Sequence, residues 1–179
     1  MTRVVLEGPR VILRQWEPRD RAPFSALNGD PVAMEFFPST LSPEESDAMI
    51  ARMRDAIDER GYGFWCLEVD GQCVGFTGLN VPNFDAPFLP AIEIGWRLLP
   101  QYWGRGLATE AAQLALDYGF AVLRAPEIVA FTAVSNLRSR AVMERLGMRH
   151  DQAADFDHPR IAEGHPLRRH VLYRLSAPS

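Results

Sequence analysis

The chain has 179 residues, of which 47% are hydrophobic and 23% are charged. A chain of this length buries about 70% of its unfolded surface, so we expect a single domain over residues 1–179 with its core between about residues 10 and 175. The net charge of −4 argues against a nucleic-acid partner, because nucleic-acid-binding proteins usually carry a basic excess.

The apolar segments exclude a membrane span, which needs about 20 consecutive apolar residues. The first 13 residues are interrupted by Arg3, Glu7 and Arg10 and lack the apolar stretch of a signal peptide. We therefore expect a cytoplasmic protein with no membrane partner. Neither the four histidines nor the two cysteines show the spacing of a metal site, so we expect no metal.

The first half of the chain predicts a strand, two helices and a β-hairpin. Val11–Leu13 is a short apolar run that predicts the strand, and a helix begins near Glu17–Asp20. Ser42 and Pro43 suit the N-cap and first residue of the second helix, and Gly61 ends it. Two β-rich runs follow, and the Asp-Gly pair between them favours a tight hairpin turn; these runs cover residues 64–69 and 73–79.

The second half predicts alternating strands and helices. In chain order the elements are a strand at 92–99, an alanine-rich helix at 106–123, a strand at 128–134, a helix at 136–146, and strands at 149–156 and 170–175. A strand–helix–strand segment implies parallel pairing, whereas the hairpin implies antiparallel pairing. Both are satisfied by an α/β fold with a mixed sheet and helices on its two faces.

The junction between the strand at 92–99 and the helix at 106–123 has features of an anion site. The first N–H groups of a helix have no internal acceptor, and the helix dipole is positive there. Gly104, Gly106 and the small Ala108 would let a phosphate approach the backbone. On these features alone, a phosphate site and a simple glycine turn are equally good interpretations. The segment is neither a P-loop nor a dinucleotide-binding fingerprint.

The same segment resembles the acetyl-CoA motif of the GNAT (GCN5-related N-acetyltransferase) superfamily, Gln/Arg-x-x-Gly-x-Gly/Ala. Trp103, Gly106 and Ala108 occupy the motif positions, and Trp103 departs from the usual glutamine or arginine. That tryptophan resembles the RimJ/RimL-type branch in particular. Further segments carry the resemblance to that branch, which extends over about residues 10–175: Arg10–Arg14, Asn136-x-x-Ser139 and Leu146–Met148.

The resemblance implies a GNAT fold: a mostly antiparallel mixed sheet of about six to seven strands, two of which splay apart to leave a V-shaped cleft for acetyl-CoA. The pantetheine arm would bind along the end of the first splayed strand and to the amide of Asn136. A helix cap is the other interpretation of Asn136, and the two roles are compatible because Ser135 can supply the cap instead. Residues 131–135 would form the second splayed strand. The implied cofactor-binding residues on the first strand and the following turn are Trp96, Arg97, Leu98, Gly104, Arg105, Gly106, Leu107, Ala108 and Thr109.

Two residues are candidates for catalysis. Many superfamily members carry a tyrosine where this chain has Met143, and that tyrosine protonates the departing thiolate. Ser139, on the same helix face as Met143, is the implied substitute, although a serine within a helix is also a common packing residue. Glu93 is the candidate general base, because it points away from the face of its apolar neighbours. An ion pair with Arg97 is an equally good interpretation of Glu93.

The implied reaction is direct transfer of an acetyl group from acetyl-CoA to a primary amine. The resemblance favours the N-terminal α-amine of a protein or peptide, whose pKa of about 7.7–8.0 leaves a useful neutral fraction. A small-molecule amine is the alternative acceptor. Because the usual tyrosine is missing at Met143, a non-catalytic acyl-CoA-binding domain is a further alternative. The resemblance also implies a possible homodimer.

Overall fold

Nine strands form one sheet in the computed structural model, which describes residues 4–179. The first three residues of the expected domain lie outside the described residues. In chain order the strands are β1 (Leu6–Glu7), β2 (Ile12–Arg14), β3 (Phe64–Val69), β4 (Gln72–Asn80), β5 (Ile92–Leu98), β6 (Glu127–Ala133), β7 (Arg149–His150), β8 (Phe156–Asp157) and β9 (Arg169–Ser176). They are ordered β1-β2-β3-β4-β5-β6-β9-β7, and β8 pairs with β9.

The sheet has more strands than the six to seven expected, because three of them are only two residues long. Strand β1 adds an edge strand beside β2. The strand predicted at residues 149–156 is interrupted by a 3-10 turn at Gln152–Ala154, so it divides into β7 and the start of β8. Such short segments carry too few residues for an alternating pattern to be recognised.

Four α-helices accompany the sheet in the part of the chain that the structure describes: α1 (Arg21–Gly29), α2 (Pro43–Arg60), α3 (Leu107–Ala121) and α4 (Leu137–Arg145). The predicted start of α2 is confirmed: the Ser42 hydroxyl accepts a hydrogen bond from Glu45 N (3.1 Å), and the Glu45 carboxylate accepts one from Ser42 N (2.7 Å). The predicted hairpin is also confirmed, with both Asp70 and Gly71 at positive φ.

The helices lie on both faces of the sheet, as expected. On one face Phe24 of α1 packs edge-on against Phe76 of β4, with 6.2 Å between the ring centres. On the other face α3 lies so close to the sheet that a Cβ at Gly119 would be 2.6 Å from Ile128 and 3.0 Å from Leu79. Within residues 4–179, none of the helices combines the length and apolarity required to cross a membrane.

Strands β5 and β6 form the parallel pair that the strand–helix–strand pattern predicts. They pair only at Ile92–Ile128 and Glu93–Val129, although β5 continues to Leu98 and β6 to Ala133. Beyond those two pairs the strands separate and leave the expected V-shaped cleft. The facing edges of residues 94–98 and 130–133 therefore lack a strand partner, and buried backbone groups of this kind need a ligand or water to bind.

Candidate active site

The turn between β5 and α3 presents free backbone N–H groups. Gly104 and Gly106 have φ of 71° and 74°, a left-handed conformation that glycine adopts without strain. Gly106 is the N-cap of α3, and the first bond of the helix runs from Glu110 N to Gly106 O (3.0 Å). The N–H groups of residues 107–109 therefore have no acceptor within the helix. Beside Gly104 there is open space within 4 Å, so an anion could approach.

Arg10 holds this turn in place, a role that the sequence did not reveal. Its guanidinium donates to the backbone oxygen of Arg105 (Nη1, 2.7 Å) and to the carboxylate of Glu110 (Nε, 2.7 Å). The Glu110 carboxylate also accepts from Arg10 N (2.7 Å). From the other side, Trp103 Nε1 donates to Leu98 O (2.9 Å) and ties the turn to the end of β5. The unusual tryptophan thus has a structural function.

The side chain of Arg105 is exposed, and its guanidinium lies 5.6 Å from the centre of the Tyr102 ring. This position at the rim of the turn is compatible both with a solvated arginine and with a phosphate contact.

Glu93 occupies the last paired position of β5 before the cleft opens. Its carboxylate is partly buried and accepts one hydrogen bond, from Asn80 Nδ2 (2.9 Å). Burial raises the pKa of Glu93 to about 7, although the hydrogen bond from Asn80 opposes that rise. A carboxyl group with this pKa exchanges its proton near neutral pH, which is what a general base requires.

The ion pair between Glu93 and Arg97 does not form. The two residues are four positions apart on one strand, so their Cα atoms are separated by about 13 Å. Arg97 Nη1 instead donates to Asn28 Oδ1 (2.6 Å) at the end of α1. The guanidinium lies 4.2 Å from the centre of the Phe37 ring and 5.2 Å from that of Phe76, and burial lowers the pKa of Arg97 to about 10.

Trp96 and Leu98 point to the opposite face of the sheet from Arg97, because side chains alternate along a strand. Leu98 is buried in the core there, and Trp96 packs against that core. The side chains of these two residues are thus engaged in packing. Only their backbone is available at the edge that borders the cleft.

Asn136 caps α4 and at the same time orients Ser139. Its side-chain oxygen accepts from Ser139 N (3.2 Å), and its Nδ2 donates to the hydroxyls of Thr132 (2.9 Å) and Ser139 (3.1 Å). Asn136 is therefore itself the cap, and Ser135 is not. Ser139 lies in the first turn of α4, where the helix dipole favours negative charge. Met143 is a core residue, 2% exposed.

Arg138 connects three segments around the cleft. Its guanidinium lies 3.9 Å from the centre of the Trp103 ring and 5.8 Å from that of Phe36. It also pairs with Glu35 (3.2 Å) in the loop between α1 and α2. The start of α4, the turn before α3 and the α1–α2 loop are held together in this way.

Aromatic side chains from several loops and strands form a second apolar cluster beside the cleft. Its members are Phe84, Phe88, Phe131, Phe156, His158 and His170. Burial lowers the pKa of His158, and it lowers that of His170 to about 4, so both rings are neutral at physiological pH. Phe131 and Val129 lie on β6, and Val129 is paired with Glu93, which places this cluster next to the candidate base.

Among the described residues, Asp20, Cys66 and Cys73 have ligand atoms within 4.8 Å of one another. This is the kind of group that can hold a metal ion. The two carboxylate oxygens of Asp20, however, accept hydrogen bonds from Arg14 at 2.8 and 2.9 Å. An arginine bound to both oxygens already neutralises the charge that a cation would need, so we assign these residues to the core.

Comparison with known proteins places this geometry in a family. The model of the acetyltransferase (GNAT) domain matches residues 10–149. A relative from Aspergillus fumigatus, FsC-acetyl coenzyme A-N(2)-transacetylase, is 32% identical over 138 residues, which cover 71% of this chain and 59% of that protein. The chain belongs to the GNAT family of acetyltransferases. It is therefore an N-acetyltransferase whose acetyl donor is acetyl-CoA.

Solved structures share the fold. A GNAT-family acetyltransferase from Bacillus anthracis superimposes with a TM-score of 0.79 at 24% identity, over 97% of this chain and 98% of the other. RimL, a ribosomal L7/L12 alpha-N-protein acetyltransferase solved in complex with coenzyme A, has a TM-score of 0.77 at 16% identity over 97% and 98% of the two chains. At this identity, RimL shows the same fold and not the same branch of the family.

Proposed function

We propose that this enzyme acetylates a primary α-amine, such as the N-terminus of a peptide, by direct attack on acetyl-CoA at the point where β5 and β6 separate. The observation that carries the proposal is the position of Glu93. It is the last paired residue before the V-shaped cleft, and its pKa is raised to about 7. A base there would meet an amine that enters from the α1 face of the sheet.

Acetyl-CoA would bind along the unpaired edge of β5 and the start of α3. The backbone of Trp96, Arg97 and Leu98 supplies hydrogen-bonding groups for the amides of pantetheine, because that edge has no strand partner. The turn that follows supplies N–H groups and the helix dipole for the pyrophosphate. The residues that we assign to it are Gly104, Arg105, Gly106, Leu107, Ala108 and Thr109.

The pKa of the base selects among amines. A carboxylate of pKa about 7 is a fair match for an α-amine of pKa about 7.7–8.0, whereas a lysine amine of about 10.4 stays almost fully protonated at neutral pH. Deprotonation of an α-amine therefore requires little further help. This difference favours an α-amine over a lysine side chain as the acceptor.

Ser139 would stabilise the departing thiolate of coenzyme A. Asn136 Nδ2 donates to the Ser139 oxygen, so the hydroxyl proton of the serine is left to donate elsewhere. The N-terminal end of α4 adds a positive dipole at the same place. Asn136 itself would reach the pantetheine arm only by exchanging one of its present partners, and we propose that its main contribution is to orient Ser139.

A small-molecule amine is the second candidate acceptor. It is supported by the Aspergillus relative, whose name describes transfer of an acetyl group from acetyl-CoA to N2 of FsC. Assignment to the RimJ/RimL-type branch, and with it a protein N-terminus, is supported by Trp103 and by the Asn136-x-x-Ser139 element.

The experiment is to measure coenzyme A release with a panel of peptides, amino acids and polyamines between about pH 5.5 and pH 9. We expect kcat at saturating acceptor to fall below about pH 7 as Glu93 takes up a proton, because kcat reports the groups of the enzyme–substrate complex and not the free amine. Glu93→Gln should lower kcat by about 10²-fold and remove this acidic limb, whereas Glu7→Gln, at an exposed position on β1, should change neither. Tight binding of acetyl-CoA without turnover of any acceptor in the panel would contradict the proposed α-amine acceptor.

A further inference from the structure

We propose that the acceptor carries a carboxylate in addition to its amine, and that Arg97 binds this carboxylate. The inference rests on the proposed function and adds the class of acceptor. Arg97 shares a face of β5 with Glu93, since the two are an even number of residues apart. Its side chain thus lies on the face of the sheet where the amine meets the base.

Arg97 is held in place by a chain of buried neutral groups. Its Nη1 donates to Asn28 Oδ1 (2.6 Å), and Asn28 Nδ2 donates to the hydroxyl of Ser46 (3.0 Å). Asn28 and Ser46 are both fully buried. Phe37 and Phe76 cover the guanidinium. A guanidinium fixed in this way presents its remaining N–H groups in one orientation, which lowers the entropy cost of binding a ligand.

The positive charge of Arg97 lacks a negative partner. Within residues 4–179, no carboxylate forms a salt bridge with it, and its buried Nε has no hydrogen-bond partner. Arg14 is a structural arginine of the same protein, and unlike Arg97 it forms ion pairs: it is buried and pairs with Asp20 (2.8 Å) and Glu68 (2.6 Å). A buried charge without a partner is costly, so Arg97 is better explained by a ligand than by packing.

The chemistry of the site indicates a carboxylate. The planar fork of a guanidinium matches the two oxygens of a carboxylate, and part of the Arg97 surface remains accessible. Because Glu93 and Arg97 are about 13 Å apart at their Cα atoms, the amine and the carboxylate should be several bonds apart. This spacing fits a short peptide with a free carboxylate better than the α-amine and α-carboxylate of one amino acid.

The test compares acceptors that differ by one carboxylate. Suitable pairs are a tripeptide and its C-terminal amide, and peptides with aspartate or asparagine in the second position. We expect the wild type to favour the carboxylated member by tenfold or more in kcat/KM. Arg97→Met should bring this ratio close to one, mainly through the acceptor KM. It should raise the KM for acetyl-CoA much less, because only the backbone of Arg97 is assigned to the donor. Arg97→Lys should retain part of the preference.

Arg60→Met is the matched control, because Arg60 also lies over an aromatic ring (Tyr62, 5.5 Å) but at the far end of α2. It should keep the wild-type ratio. No preference in any wild-type pair, or an equal loss on both members in Arg97→Met, would overturn the inference. A larger rise in the KM for acetyl-CoA than in the acceptor KM in Arg97→Met would assign the arginine to the donor instead.

Binding of a carboxylate by Arg97 can be tested without turnover. If no acceptor is turned over, the proposed function fails, and calorimetry on protein saturated with coenzyme A still tests Arg97. Tighter binding of the carboxylated peptide than of its amide, in the wild type and not in Arg97→Met, would support the inference. Equal binding of the two peptides by the wild type would refute it.

Discussion

One amide at the start of α4 performs two tasks. Asn136 caps the helix through its oxygen and holds the Ser139 hydroxyl through its nitrogen. The bond to the serine oxygen matters for the chemistry, because it leaves the serine proton free for another acceptor. A residue whose oxygen is fixed by a neighbour is a better-placed donor than a freely rotating hydroxyl.

Ser139→Ala should therefore lower kcat by about ten- to a hundredfold, since a hydrogen bond to a charged group contributes about 1.5–3 kcal/mol. The KM for acetyl-CoA should change little, because the thiolate charge exists only after attack. Steady-state kinetics with the best acceptor measure both constants. Ser135→Ala, at an exposed position outside the helix, is the control. Unchanged kcat in Ser139→Ala would leave the serine as a packing residue.

For individual residues, the sequence predicted the face of the strand on which a side chain lies, but it did not predict which residue that side chain contacts. Alternation along β5 correctly separated Glu93 from its apolar neighbours. The partner of Arg97 is Asn28, 69 positions away, and the Arg10–Glu110 contact spans 100 positions. Such pairs depend on how α1 and α3 pack on the sheet, and no local pattern records that packing.

Among the secondary structure elements, those with local signals were predicted best. The hairpin and the cap of α2 depend on residues that are neighbours in the chain. No local sequence pattern predicts the V-shaped cleft, because β5 and β6 have the apolar pattern of ordinary strands along their whole length. It was expected only through the resemblance to a family. Its physical origin is the short register of the parallel pair, two residue pairs long.

A substitution in the turn before α3 tests whether this turn binds the pyrophosphate of acetyl-CoA. Gly106→Val places a β-branched residue at φ 74° and crowds the helix N-terminus, so we expect acetyl-CoA affinity to fall by tenfold or more. Gly71→Val is the matched control, since Gly71 has φ 76° in the β3–β4 hairpin turn. Both variants should lose similar stability from backbone strain, about 1–3 kcal/mol.

Calorimetric titration of acetyl-CoA into both variants, alongside their thermal unfolding, separates strain from ligand binding. Loss of affinity in Gly106→Val alone would support a phosphate site at the turn. If the two variants bind acetyl-CoA equally well, the glycine serves only the turn, and the pyrophosphate binds elsewhere.

In the whole molecule, which has a net charge of −4, some charged side chains form ion pairs and others do not. Arg10, Arg14 and Arg174 each pair with carboxylates. Among the described residues, the side-chain hydrogen-bond partners of Glu93 and Arg97, on the acceptor face, are the neutral amides of Asn80 and Asn28. Charged groups without ion partners lower the stability of the folded state, and enzymes commonly retain such groups at a reactive site. The loss in the free energy of unfolding that Glu93 causes should be measurable.

The stability of the protein should therefore depend on pH through Glu93 in an unusual direction. Its pKa is about 7 in the folded protein, against an ordinary value of 4.5. Between these two values the folded state keeps a proton that the unfolded chain releases. The contribution of Glu93 to stability is thus fully present below about pH 4.5 and is lost as the pH rises through 7.

The Glu93→Gln variant has no titratable group at this position. Its free energy of unfolding should therefore increase relative to that of the wild type as the pH rises. A shift of about 2.5 pKa units corresponds to at most roughly 3 kcal/mol in the free energy of unfolding. Urea denaturation of both proteins at about pH 4.5 and pH 8 gives the difference at each pH, and all other titrating groups largely cancel in it. A difference that does not change with pH would mean that Glu93 titrates normally, and it would remove the main support for Glu93 as the base.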